Sequence, residues 1–436
     1  MYERTAGSQG VRIQEIDAKG IKRSGIGERG GKRRNFCLMV AGQIVSILGS
    51  SLLRFALSLY ILDITGRADI YAALYAVSNI PMLISPLGGA VADRFNRRNL
   101  MVIFDFMSSA FILVYYIFLS GGGMSVPLTG TLMILLSAIS AMYMPAVTSS
   151  IPLLVDENRL EAANGAVNGV QALSNVAAPV IGGVLYGIVG VKTLVLISGI
   201  SFFCSAVLEL FIHIPFIRRE WTDHVVLSIV KDLKAGFMYA VKKPLVMRSV
   251  ILAALLNMIL TPLFVVGAPV ILKVAMNSTD AMYGAGMGAI NFATILGALL
   301  VGIAAKKMEM RTLHSWIAGI AVLILPIALS VSPSAAGSGM YIGYILFLSC
   351  SIPIAMAMTA ISIFVLTKIQ KETPDDYLGK VMAITMAVSQ CAAPAGQLVY
   401  GFVFEKFRSV LYAPILIICA AMILLSFLAK RMMRHI

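Results

Sequence analysis

Apolar stretches of about twenty residues, the length a helix needs to cross the hydrocarbon core of a bilayer, recur throughout this chain. They fall at roughly 35–62, 70–92, 99–120, 126–150, 161–188, 191–217, 246–274, 281–305, 311–331, 339–369, 377–404 and 409–430. Inside lipid no water satisfies a free N–H or C=O, so such segments must be helices, and twelve of them predict an all-α integral membrane protein. Hydrophobic residues make up 59% of the 436 and charged ones only 13%, which excludes a soluble enzyme or a disordered chain. The longest stretches are expected to tilt or to run past the bilayer surface.

The net charge of +14 fits either nucleic acid or membrane topology, and the positions of the cations decide between them. Nine Lys or Arg precede Asn35 and three follow Leu428. Seventeen more lie in alternate loops on the same side, at Arg94, Arg97, Arg98, Arg159, the 218–248 stretch, Lys306, Lys307, Arg311, Lys368, Lys371 and Lys380. Only five occupy the opposite loops: Arg67, Lys192, Lys273, Lys406 and Arg408. The positive-inside rule then places both termini in the cytoplasm and removes nucleic acid as a partner.

Residues 1–34 are Gly-rich and basic and read as a flexible cytoplasmic tail. The apolar run after them is too long for a cleaved signal segment, so the first span is expected to stay. Residues 431–436 form a second short tail. The five cysteines (Cys37, Cys204, Cys350, Cys391, Cys419) all fall within spans without a CxxC, and the four histidines show no ligand spacing. No metal, disulfide or cofactor is expected.

A polar stretch at 218–245 divides the spans into six (35–217) and six (246–430). Within it Val226, Ile229, Val230, Leu233 and Phe237 recur at helical spacing, predicting a surface helix that joins two bundles. The bundles echo each other. Asp156-Glu157, Leu160, Ala177-Ala178-Pro179 and Gly182 answer to Asp375-Asp376, Leu378, Ala392-Ala393-Pro394 and Gly396, about 215 residues later. Parallel six-helix halves are a transporter architecture with the substrate site between them.

The loop after span two reads Gly89-Ala90-Val91-Ala92-Asp93-Arg94-Phe95-Asn96-Arg97-Arg98. It resembles the G-x-x-x-D-R-x-x-R-[RK] signature of the major facilitator superfamily at every defined position. Gly89 would permit close helix approach, Asp93 would cap a facing helix, and Arg94, Arg97 and Arg98 would bridge to acids or phosphates. The resemblance implies twelve transmembrane helices in two pseudo-symmetric six-helix bundles. It also implies that this loop latches the halves when the cavity faces outward, with Asp93 near Leu378 and Gly379. The second half has Gly302-Ile303-Ala304-Ala305-Lys306-Lys307, with lysine in place of the aspartate.

Span five reads Ser174-Asn175-Val176-Ala177-Ala178-Pro179-Val180-Ile181-Gly182-Gly183, similar to the antiporter signature G-x-x-x-G-P-x-x-G-G with the first two glycines replaced by Ser174 and Ala178. Such a helix is expected to kink and to pack on span eight with its Gly284, Gly286, Gly288 and Gly297. Tyr143-Met144-Pro145-Ala146, Pro152-Leu153-Leu154-Val155 and Leu160-Glu161-Ala162-Ala163-Asn164-Gly165 resemble the macrolide-efflux and enterobactin-exporter branch. So do Gly42-Gln43 and Leu62-Asp63-Ile64-Thr65-Gly66. This chain departs from many proton-coupled drug exporters at span four, where the arginine that they carry is missing and 126–150 hold no charge.

Ionisable residues inside a membrane are costly and are functional candidates by default. Arg54 lies two-thirds along span one, placed to bind an anionic group or an acid. Asp63 lies at the outer end of that span. Asp105 and Glu209 lie at similar depth in spans three and six, where each is either a proton-exchanging carboxyl or a structural partner of Arg97 or Arg98. Tyr143, Asn257, Gln390 and Gln397 offer polar contacts. Met142, Met144, Met356 and Met358 offer flexible apolar ones, or simply fill the bilayer. The expected function is a monomeric, non-enzymatic secondary-active exporter of amphipathic small molecules, of the macrolide or multidrug kind, with H+ as coupling ion. The alternative is a lipid or metabolite transporter of the same fold, such as a lysophospholipid flippase or a siderophore exporter. No GxxxxGK[ST] loop is present for ATP-driven pumping.

Overall fold

The computed structural model describes residues 18–92, 94–123, 125–215, 225–304, 308–332 and 340–433. All regular elements among them are helical. Helix α1 spans Ala18–Thr65. Part of the stretch expected as a flexible tail is therefore helical: a span that is already helical adds each further residue at little cost, so it extends into the basic segment. The second span is interrupted. Helix α2 (Ala68–Asn79) passes through a 3₁₀ turn at Ile80–Ile84, where Pro81 lacks an N–H, into α3 (Ser85–Ala92).

Helix α4 (Arg97–Ser120) is capped by Asn96, which accepts from the Asn99 N–H, and α5 (Val126–Leu154) by Ser125, which accepts from Leu128. Helix α6 (Leu160–Leu210) is broken at Gly190, whose φ of 72° and ψ of 175° only glycine adopts readily, so it crosses twice. Helix α7 (Val225–Lys242) is the linker. Helix α8 (Pro244–Pro262) continues through π-helical turns at Leu263–Gly267 and Val270–Ala275. Then come α9 (Asp280–Ala304), α10 (Leu313–Ser330), α11 (Met340–Glu372), α12 (Asp375–Lys406) and α13 (Tyr412–Met433). Nine described stretches are long and apolar enough to cross a bilayer, and one of them, Glu157–Leu210, contains both legs of α6. The α2–α3 pair and the less apolar α12 complete the twelve crossings.

In the first half α1 and α4 pack on α6, and α5 packs on α3 and α4. In the second half α9 packs on α11, α10 on α11 and α13, and α8 on α12. The halves meet mainly through α6 with α9 and α2 with α12. Lipid tails leave no hydrophobic drive between helices, so small residues that admit a neighbouring backbone set these contacts. The repeat is visible in them. A β-carbon at Gly182 would lie 2.7 Å from Phe55 on α1, and one at Gly396, 214 residues later, 2.0 Å from the Met258 carbonyl on α8. One at Gly401 would lie 2.4 Å from Ala72 on α2, and one at Gly187, 214 residues earlier, 3.5 Å from Asp280 on α9.

The linker helix docks on α12. Tyr239 stacks on Tyr377 with ring centroids 4.7 Å apart, Ala240 is buried, and Gly236 lies against the Lys380 backbone. Phe237, expected on the apolar face, is exposed beside Met238 and Val241. The docked face is the one that presents small residues to the facing backbone. The side chains of Val226, Ile229, Val230 and Leu233 lie outside the described residues.

Gly396→Ala is expected to overpack α12 against α8 and to cost about 1–3 kcal/mol. A fall in the thermal midpoint of the purified protein, absent for Gly319→Ala where nothing lies within 4 Å, checks this.

Candidate functional site

Ser46, Ser50, Arg54 and Ser58 stand four residues apart on α1 and therefore share one face. That face lines a cavity of about 600 Å³ between the two halves. Tyr71, Tyr75, Asp105, Tyr143, Gln171 and Asn175 complete the first-half wall, and the second half contributes Phe264, Val265, Tyr283, Met287, Ile290 and Asn291. Phe55 and Tyr283 stack across the halves with centroids 5.2 Å apart. The second-half wall carries no charge; Arg54 and Asp105 are the two charged residues lining the cavity.

At the end of the cavity nearer the termini, polar groups from four helices meet. Tyr143 on α5 donates to Glu209 Oε1 on α6 at 2.7 Å. Ser205, one turn before Glu209, donates to the Gly42 carbonyl on α1 at 2.9 Å, and its hydroxyl faces Asp105 of α4. Gly42 makes room for this: a β-carbon there would lie 3.3 Å from both Glu209 Cγ and Ser205 Oγ. Asp105 is 2% exposed and Glu209 is fully buried, yet Asp105 Oδ2 and Glu209 Oε2 find no hydrogen-bond partner among the described residues. The same holds for Ser46 Oγ and for both polar atoms of fully buried Gln43. Burying a carboxylate with an oxygen left unpartnered is expensive, and two of them in one place single this cluster out from ordinary packing.

The side opposite the termini is closed by charge. Lys273, at the end of the π-helical stretch, pairs with Asp280 of α9 at 2.5 Å and with Asp63 of α1 at 3.8 Å. Tyr186 of α6 donates to the other oxygen of Asp63 at 2.8 Å. Nearby, Glu405 of α12 accepts the Ala68 N–H at 2.9 Å, capping the start of α2 from the other half. Arg67, in the turn before α2, donates to Asp69, and that hydrogen bond together with the carboxylate charge holds its guanidinium above the ordinary arginine value. Beneath this layer Gly183 and Gly284 bring α6 and α9 into backbone contact, a β-carbon on Gly284 falling 2.2 Å from the Pro179 carbonyl.

On the terminal side the same helix pairs part. A β-carbon at Gly89, Gly165, Gly169 or Gly379 would meet nothing within 4 Å. The last contact between α6 and α9 with a hydrogen bond is midway, where Asn291 donates to the Asn175 carbonyl at 2.9 Å. Among the described residues the close approaches between α6 and α9 and between α2 and α12 thus lie at mid-cavity and on the side away from the termini.

Several expected roles change with this geometry. Gly89 makes no close approach; its neighbour Gly88 does, a β-carbon there lying 2.8 Å from the Ala141 carbonyl, because Gly88 faces α5 and Gly89 points into open space. Asp93 lies outside the described residues. Arg97 donates to the carbonyls of Ala92 and Ser149 at 3.1 and 2.9 Å, and Arg98 to Asn99 and the Leu210 carbonyl. Neither is a partner of Asp105 or Glu209, whose polar neighbours are Tyr143 and Ser205. Asn257 is taken up by Ala253 and Thr261 in a separate small pocket with Met358. Gln390 is exposed away from the cavity, while Gln397 is buried. Ala178 and Pro179 line the cavity; Gly182 packs on α1 and Gly183 on α9. Gly288 also meets α6, whereas Gly286 and Gly297 pack on α11 within their own half. Met144 lines the cavity and Met356 packs on Gly297. The spacing of serines on α1 was readable in the sequence. Lys273, Asp280 and Glu405 signalled themselves only as charges at span ends.

A family model described as Major Facilitator Superfamily matches residues 39–397. Macrolide efflux protein A of Streptococcus pyogenes is 23% identical over 411 residues, covering 89% of this chain and 94% of that protein. An uncharacterized MFS-type transporter of Sinorhizobium fredii is 27% identical over 394 residues, covering 86% and 90%. Among solved structures, the nucleoside transporter NupG superposes with a TM-score of 0.73 at 13% identity over 92% of this chain and 99% of that one. A bacterial homologue of the iron transporter ferroportin in an inward-facing state gives 0.67 at 18% identity, over 90% and 98%.

Lys273→Gln leaves Asp63 and Asp280 facing each other without their shared cation. Spin labels at exposed positions 64 and 277 are expected to move apart, with a longer distance population in pulsed resonance spectra than in the parent protein. An unchanged distribution would show that the glycine contacts alone hold this side shut.

Proposed function

This chain belongs to the Major Facilitator Superfamily and is a multi-pass membrane transporter rather than an enzyme, and from that premise we propose that it exports amphipathic small molecules by proton antiport. The observation that carries this reading is the cavity walled by both halves, with a buried acid pair at the end nearer the termini and a charged lock at the other. The similarity to a macrolide efflux protein supports export. The cation distribution supports a cytoplasmic location for both termini, and in this reading the side of the cavity nearer them faces the cytoplasm and the inner leaflet.

In this reading the cytoplasm-facing cavity loads substrate against Phe55, Tyr71, Tyr283 and Met287, which supply apolar surface with few fixed hydrogen bonds. The titratable groups around Asp105 are Tyr143 of α5 and Glu209 of α6; α1 presents Ser46 and Gly42. A proton on Asp105 or Glu209 neutralises a buried charge. Its release toward the cytoplasm and uptake from outside would give the cycle its direction. Separation of Asp63 and Asp280 from Lys273, and closure of α2–α3 and α6 against α12 and α9 on the cytoplasmic side, would turn the cavity outward, with Asp93, Arg94, Arg97 and Arg98 in the inner latch.

Cells carrying the protein should accumulate less of a lipophilic antibiotic panel than cells without it, and an ionophore that dissipates the proton gradient should abolish the difference. Asp105→Asn and Glu209→Gln should each reduce gradient-driven efflux by tenfold or more. Full efflux by both variants would remove the acid pair from coupling, and substrate-dependent uptake would reverse the direction.

A further inference from the structure

The cavity has a fixed electrical layout. Arg54 reaches it from α1 and makes no hydrogen bond or ion pair with any described residue. Two turns nearer the termini, at the level of Ser46, lies Asp105, 2% exposed and with Oδ2 unpartnered. Eight residues separate Ser46 from Arg54, about 12 Å along the helix axis. The two charges do not bridge each other, and the second half adds none. Between them run the Ser50 and Ser51 hydroxyls, and facing these are Tyr75, Tyr283, Met287 and Ile290.

An unpaired guanidinium in a partly dry cavity favours a carboxylate or a similar anion, to which it offers a planar fork of donors. An unpaired carboxylate favours an ammonium group or a proton. We infer that the preferred substrate is a zwitterionic amphipath with an acid at one end, an amine at the other and an apolar body between, held by Arg54 and Asp105. A substrate carrying only a cation would leave Arg54 unanswered, and one carrying only an anion would leave Asp105 unanswered. The inference rests on the exporter reading and deepens it. The substrate ammonium and a proton compete for the same Asp105 carboxylate, so binding one expels the other, and that exclusion is the exchange an antiporter requires.

The test is equilibrium binding to the purified full-length protein, which does not depend on transport. The probe is a biphenyl amino acid with a para aminomethyl group on one ring and a para carboxylate on the other. Its methyl ester and its N-acetyl derivative each remove one charge. Lysophosphatidylcholine, whose two charges are adjacent, represents a membrane-lipid source. The zwitterion is expected to bind at least tenfold more tightly than any of the three. Arg54→Gln should weaken the zwitterion tenfold or more and leave the methyl ester unchanged. Asp105→Asn should weaken the zwitterion similarly and leave the N-acetyl derivative unchanged. Arg54→Lys, which keeps the charge, should retain most of the affinity and so separates loss of the anion partner from misfolding. Equal binding of zwitterion and ester, tighter binding of the lipid, or indifference to Arg54→Gln would overturn the inference. Charge-selective binding without efflux would sink the exporter reading alone, and efflux of lipophilic drugs without charge selectivity would sink this one alone.

Discussion

The contact between the two halves carries everything else in this structure, because a bilayer gives them no hydrophobic reason to associate. They meet through backbone. Gly183 and Gly284 on one side, and Gly401 with Ala72 on the other, admit approaches that any larger side chain would block. Such contacts are tight but narrow. They fix where the halves touch without welding them, a geometry that permits rotation about that level. The Lys273 cluster and the Glu405 cap sit above the pivot, where their electrostatic hold is greatest when the far side is closed.

Charge is used sparingly, and each use follows from its cost. At the membrane surface Lys273 meets two acids at little expense, since water reaches Asp63 and relieves the desolvation penalty. Deeper down, Asp105, Glu209 and Arg54 have no such relief, and none of them is neutralised by a neighbour. A stable packing element would pair these groups or replace them with apolar residues. Retaining Arg54 and Asp105 in the wall of the cavity without an opposite charge, and Glu209 behind Tyr143, makes sense if their partners arrive and leave with the transport cycle.

The architecture was legible in the sequence because it rests on composition and period. Apolar length gave the spans, and the 214-residue echo between Gly182 and Gly396 became a matched pair of helix contacts. Arg54, Asp105 and Glu209 were readable as charges out of place. Their grouping was not, because Asp105, Tyr143 and Glu209 come from three helices whose rotation no local pattern fixes. The same limit misassigned Gly89: two adjacent glycines look alike in sequence, and only the position of α5 shows that Gly88 is the one in contact. Asn257 failed for a related reason, since its neighbour Thr261 satisfies it locally.

The duplicated scaffold is symmetric, but its chemistry is not. Moving 214 residues on from Arg54, Asp105 and Glu209 reaches Ala268, Gly319 and Ile423, all uncharged. The charged residues that line the cavity, Arg54 and Asp105, therefore belong to one half, and the other is a neutral wall that includes Phe264, Tyr283, Met287 and Ile290. This division has a mechanical consequence. Any rotation of one half against the other must break contacts between them, and a charge pair spanning the gap would be pulled apart in a dry environment. Keeping Asp105, Tyr143 and Glu209 within one rigid bundle lets the halves part along apolar surface at the level of the bilayer centre. Among the described residues the charge pair that bridges the halves at Lys273 and Asp63 lies at the rim away from the termini, where water is at hand if the two separate.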